Sequence, residues 1–293
     1  LGLLREFAWC DAGMKGAEFD GLESNRTPTS HAVAMGPAAP IPSLPATSLK
    51  PKEHGAYAIL VVPLLSAMAA IGPSAVSLCI AAAAVTGFLA HEPLLVAVGH
   101  RGSRAQRNSP GAIKRTLLLQ GTMTACGFSA MVLGDQRVRI ALLACALLAI
   151  LNFMVAVAGQ QRTLAGQLAG VIGLSLPSLP VLIAGGVETS LAAEAWIAWF
   201  IGFSATTMAV RGVIAAQKRQ SRLFHWIALS ILCAVAFLAT LALHYRLMIA
   251  TTPMLILSVL LLWSPPPARY LKGVGWTLVG GTAATAVWMT AAL

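Results

Sequence analysis

Nine apolar stretches, each near the length that crosses a bilayer as an α-helix, follow one another from residue 56 to residue 292. A helical span needs about 20 mostly apolar residues. The stretches fall at 56–72, 74–90, 114–133, 139–158, 164–186, 191–210, 223–243, 247–263 and 273–292. Polar and apolar residues do not alternate within them, which excludes a membrane barrel and leaves helices to satisfy the backbone in hydrocarbon. The expected fold class is therefore all-α, a polytopic membrane protein with a bundle of about nine transmembrane helices over residues 50–293. A charged fraction of 10%, against roughly 25% in soluble domains, agrees that lipid is the main solvent. The first two stretches are the shortest, and Lys50, Lys52 and Arg101 stand where long side chains can snorkel to the interface.

Charge sets the orientation. With the N-terminus inside, all but Arg137, Arg139 and Arg246 of the 20 Lys and Arg residues fall on the cytoplasmic side, the bias that the positive-inside rule describes. Removing the N-terminal segment leaves the bias intact. The chain is expected in a bacterial cytoplasmic membrane with its N-terminus inside and its C-terminus outside. Trp196, Trp199, Trp263, Trp276 and Trp288 are expected as interfacial aromatics. The net charge of +10 reads as attraction to anionic lipid headgroups and not to nucleic acid, since the cations lie between spans.

Residues 1–49 hold half of the acidic residues and then a Thr-, Ser-, Ala- and Pro-rich stretch, a composition expected to form a disordered polar cytoplasmic tail. Leu1 opens the chain in place of Met, and Met35 is a candidate for the true start. Cys10, Cys79, Cys126, Cys145 and Cys233 form no close pair, so neither a disulfide framework nor a CxxC metal site is indicated.

Two cytoplasmic clusters can carry chemistry. Pro51-Lys52-Glu53-His54-Gly55-Ala56-Tyr57 precedes the first stretch, and Phe88-Leu89-Ala90-His91-Glu92-Pro93 closes the second. Counted from the Gly72-Pro73 turn, His54 and His91 reach the same depth, so the Glu53/His54 and His91/Glu92 pairs are expected to be able to meet. Paired His and carboxylate suit a proton-transfer or divalent-metal site; interface anchoring is the competing reading, and no cofactor is expected. The second cluster is cationic: Arg101, Arg104 and Arg107 after the second stretch, with Arg211, Lys218 and Arg222 after the sixth. The spacings of the last three return them to one face if the helix continues. Such cations can clamp a phosphate or diphosphate head. Arg211 is favoured, being nearest to hydrocarbon and preceded by Thr206 and Thr207.

No Asp, Glu, Lys or Arg falls at the middle of any stretch, which argues against a proton pump or charge-coupled carrier. Asn152, Gln120 and Gln167 are the notable polar side chains, and Asn152 and Gln167 are candidates to face a shared cavity. Gly166, Gly170 and Gly173 are spaced for close helix packing, and Pro177 and Pro180 are expected to bend or break the fifth stretch. Gly280 and Gly281 in the ninth are expected to serve packing.

The words at 51–57 and 88–95 resemble those of the YwiC-like family of bacterial integral membrane proteins, with Tyr57 where that family carries Trp. The resemblance implies a membrane bundle and no established activity. A more distant architectural similarity is to the UbiA superfamily of intramembrane prenyltransferases, which implies nine spans and functional loops after the second and sixth. Those enzymes hold Mg²⁺ on Asp-rich motifs, and here Asp11, Asp20 and Asp135 all lie outside the two loops. The expected function is recognition of an amphipathic or isoprenoid-like lipid with an anionic head, its site drawn from Glu53, His54, His91, Glu92, Arg101, Asn152, Gln167, Arg211 and Lys218. No catalytic residue is assigned. The alternatives are a divergent prenyl or lipid transferase, which would use a divalent metal, and a small-solute transporter.

Overall fold

The computed structural model describes residues 54–267 and 270–293, with the backbone alone of His54, Leu271 and Lys272. The expected disordered tail, together with Lys50, Lys52, Glu53 and Arg269, lies outside the described residues.

The described chain is helical throughout: α1 (His54–Ile71), α2 (Ala75–Ala97), α3 (Ser103–Arg107), α4 (Ala112–Leu133), α5 (Gln136–Val157), α6 (Leu164–Ser175), α7 (Ser178–Ala184), α8 (Thr189–Gln217), α9 (Leu223–Ala242), α10 (Thr252–Trp263) and α11 (Leu271–Ala292). Short 3-10 turns occupy Gln160–Arg162 and Arg246–Thr251. No strand occurs among the described residues. Each expected apolar stretch is helical over most of its length. Seven helical segments among the described residues, counting α6 with α7 and the 246–251 turn with α10 as one each, are long and apolar enough to cross a membrane, while the apolar part of α1, Gly55–Ile71, is shorter. Leu117, Phe128, Leu147 and Phe237 stand more than half exposed. In lipid such a surface is the solvated one, because hydrocarbon solvates apolar side chains and leaves only the backbone to be satisfied internally. The chain is a multi-pass membrane protein.

Local signals explain where helices stop. Ser74 caps α2 by accepting from the Ser77 amide at 3.1 Å, while the Ser77 hydroxyl accepts from the Ser74 amide at 2.7 Å, a reciprocal pair that satisfies two orphan donors. Asp135 caps α5 through the Val138 amide at 2.9 Å. Arg139 donates to the Met131 and Gly134 carbonyls at 2.9 and 3.1 Å, placing a cation at the negative end of α4.

Two boundaries differ from the sequence reading. The second stretch was expected to end near residue 90 with Pro93 as punctuation, yet α2 runs through Pro93 to Ala97. Proline removes one backbone donor, and here Ala90, Pro93, Leu95 and Val96 are all buried, so packing outweighs the lost bond. The sixth stretch is expected to end at residue 210, yet α8 continues to Gln217. The fifth breaks as expected: α6 ends at Ser175 and α7 resumes at Ser178, with Pro177 between them. The Ser175 and Ser178 hydroxyls donate to the Val171 and Ser175 carbonyls, each at 2.8 Å.

Helix α8 is the centre of the bundle. It packs against α6, α7, α9, α10 and the 246–251 turn, and its apolar face extends nearly all round, as a helix surrounded by others requires. Trp199 is correspondingly 2% exposed. It belongs to the core, stacked on Phe203 at 5.5 Å between ring centroids, and is not the interfacial aromatic expected from sequence. Trp196 is also drawn inward, its indole N–H donating to the Ser175 hydroxyl at 3.2 Å. Trp263 and Trp276 are exposed. Of the glycines expected to serve packing, Gly173 abuts Asn152 and Gly281 abuts Leu257, whereas Gly170 and Gly280 face open space.

Candidate functional site

The first cluster forms where α2 meets the 98–111 loop. Arg101 stands between Gly99 (φ +80°) and Gly102 (φ +88°), left-handed positions that glycine adopts without a Cβ penalty. They turn the chain back so that Arg101 Nη2 lies 2.7 and 2.8 Å from the two carboxylate oxygens of Glu92, with Nε at 3.2 Å. This is a bidentate pair. Gln106 donates to the Ala97 carbonyl at 3.0 Å, holding the loop against the end of α2.

His91, the next residue on α2, turns to a different neighbour: its ring lies edge-on to Phe153 of α5, 6.3 Å between centroids. Tyr57 and Phe88 meet edge-on at 4.9 Å, so α1 and α2 lie side by side one turn short of His54 and His91. Glu53 and the side chain of His54 lie outside the described residues. Among the described residues no group of three or more His, Cys, Asp and Glu gathers as a metal-ligand set would.

The second cluster joins α8 to α6. Arg211 Nη1 donates to Gln167 Oε1 at 2.8 Å and reaches the Arg162 carbonyl at 3.5 Å. Among the described residues no carboxylate pairs with Arg211. Gln167 therefore contributes, but not beside Asn152: the Asn152 amide donates to Leu148 O of its own helix at 2.9 Å and packs on Gly173. Gln167 and Gly173 are six residues apart on α6 and point to different sides. Thr206 and Thr207 both donate back to Phe203 O, at 2.9 and 2.8 Å.

Lys218, two turns on from Arg211, still lies on its face, its amide donating to the Ile214 carbonyl at 3.0 Å, but Arg222 does not. Helix α8 ends at Gln217, Lys218 is its C-cap, and Arg219 has φ +54°. Arg222 precedes α9 and donates to the Leu262 carbonyl at 2.9 Å, satisfying the end of α10. The condition attached to that spacing, a continuing helix, holds as far as Lys218 and fails before Arg222.

Three polar residues escaped the sequence reading. His225 on α9 packs against Gly212 of α8, which has no side chain to hold it off, and its Nδ1 is buried without a hydrogen-bond partner. Ser204, 2% exposed, has an equally unpartnered hydroxyl. Glu194 is 7% exposed and accepts from the Leu247 amide at 2.6 Å, capping the 3-10 turn that leads into α10. The one signal for it was a lone acid near the start of an apolar run, Ala192-Ala193-Glu194-Ala195.

Two open, apolar cavities lie between the helices, and Ser204 lines the second. One of about 350 Å³ lies between α10 and α11, lined by residues including Leu257, Leu261, Tyr270 and Val274. The other, about 220 Å³, lies between α6, α8 and α9.

Residues 51–183 match the family model described as YwiC-like protein. The match spans α1 to α7 and takes in His91, Glu92, Arg101, Asn152 and Gln167; Arg211, Lys218 and His225 lie beyond it. No curated protein and no solved structure matches the chain. The similarity to the UbiA superfamily thus receives no support from these comparisons.

Proposed function

We propose that this membrane protein, YwiC-like over residues 51–183, lies in the bacterial cytoplasmic membrane as a nine-helix bundle with its N-terminus inside. There it recognises an amphipathic lipid with an anionic head at its cytoplasmic end. Arg211 is the head-binding cation. The observation that carries this reading is its partner: a neutral amide oxygen, Gln167 Oε1, at 2.8 Å. A carboxylate would cancel the charge, as Glu92 does for Arg101. An amide fixes the guanidinium and leaves the charge in place, and the remaining N–H donors match a phosphate.

Arg211 stands nearly two turns inside the end of α8, on the face that also carries Phe200, Ser204 and Met208. An anionic headgroup at the membrane surface is the ligand whose charge and amphipathic shape suit that depth. The test is native mass spectrometry of the full chain carrying phosphatidylglycerol. Wild type should retain it over phosphatidylcholine by about tenfold, the scale of one charge-assisted hydrogen bond, and Arg211→Gln should abolish the preference. Equal preference in both proteins would overturn the reading.

A further inference from the structure

The cavity between α6, α8 and α9 is walled by Leu168, by Phe200, Ser204 and Met208 of α8, and by Ala228 and Leu232 of α9. Residues 200, 204, 208 and 211 recur at helix-face spacing, so Arg211 continues the α8 wall one turn beyond Met208. Residues 225, 228 and 232 do the same on α9, and the contact of His225 with Gly212 fixes that face toward α8. Continued one turn along α8 and α9, the two walls of this apolar groove lead to Arg211 and His225. Two polar atoms along these walls, Ser204 Oγ and His225 Nδ1, are buried without any partner. Unpaired buried polar groups are rare because each costs about 1–3 kcal/mol.

Resting on the reading of Arg211 given above, we infer that this groove holds an acyl chain of an anionic glycerophospholipid, with the phosphate at Arg211 and His225 and an ester carbonyl accepting from Ser204. Ser204 lies seven residues from Arg211, a rise of about 10 Å. A glycerophospholipid places its ester carbonyls one glycerol away from the phosphate, so an acceptor reaches Ser204 while the head stays at Arg211. An isoprenyl diphosphate has the same kind of head but only hydrocarbon at that depth, and it would leave the hydroxyl unpaired.

The experiment uses the full chain with ester-linked phosphatidylglycerol, its ether-linked analogue, phosphatidylcholine and geranylgeranyl diphosphate, all read by native mass spectrometry. Wild type should retain the ester form over the ether form by about fivefold, one neutral hydrogen bond. Ser204→Ala should lose that difference while keeping the preference for phosphatidylglycerol over phosphatidylcholine. Ala228→Trp, which fills the groove from the lipid side, should cut retention of phosphatidylglycerol about tenfold or more. Wild type indifferent to ester against ether, or geranylgeranyl diphosphate displacing phosphatidylglycerol at equal concentration, would overturn the inference and leave the Arg211 reading standing. Loss of the preference for phosphatidylglycerol over phosphatidylcholine in wild type would overturn both.

Discussion

Arg211 of α8 and Gln167 of α6 are joined by a hydrogen bond of 2.8 Å between a guanidinium and a neutral side-chain oxygen. The two residues come from different helices and lie 44 positions apart, and their contact gives the cation a fixed direction without removing its charge. Replacing Gln167 by Leu should free the guanidinium while leaving the charge in place. Anionic-lipid retention should then fall less than threefold, whereas Arg211→Lys, which keeps charge but loses the planar fork, should fall further. Lipid titration followed by native mass spectrometry checks the order of the two variants.

Glu194 should matter through one oxygen. Its carboxylate accepts from the buried Leu247 amide, so Glu194→Ala strands a donor and should destabilise the protein by about 1–3 kcal/mol. Glu194→Gln retains an acceptor and should unfold close to wild type. Thermal unfolding in detergent separates them; equal melting of the Ala and Gln variants would show that the cap contributes nothing.

Gly185, at the end of α7, lies against Ile71 at the end of α1, where a Cβ would collide with the isoleucine side chain. Gly185→Ala should cost about 1–3 kcal/mol through overpacking. Adding Ile71→Ala should recover part of that loss, because the collision is with a side chain and not with backbone. A double variant no more stable than Gly185→Ala would place the strain elsewhere.

Orientation is open to cysteine labelling. Gln106 and Gln220 are exposed near one set of helix ends, and Gln136 and Glu188 near the other. With the N-terminus inside, cysteines at 136 and 188 should react with a membrane-impermeant maleimide in intact cells. Those at 106 and 220 should react only after permeabilisation. The reverse pattern would move Arg211 to the outer face.

Much of the fold was legible because lipid imposes a length and a composition on each span. The break at Pro177 was legible as well, since a missing donor is a property of the residue itself. Pro93 and Trp199 misled for one reason: burial by neighbouring helices, invisible in a single chain, carried α2 past its proline and drew an amphipathic aromatic into the core. At the site, Arg211 and Gln167 were each visible as polar residues in apolar surroundings, but their contact was not. The spacing of Arg211, Lys218 and Arg222 holds for Lys218 at the end of α8, and the turn that begins at Arg219 takes Arg222 off that face. Ser204 and His225 could not be singled out, because lacking a partner is a tertiary fact about atoms and not a feature of sequence.

The most direct measurement is site mapping with a photoreactive phosphatidylglycerol whose diazirine lies near the glycerol, compared with the same probe built on phosphatidylcholine. Cross-linked peptides identified by mass spectrometry should concentrate on residues 200–211 and 225–232 with the anionic probe and lose that concentration in Arg211→Gln. Labelling spread evenly over the exposed faces of α4, α5 and α9, alike for both probes and both proteins, would contradict a lipid site at Arg211.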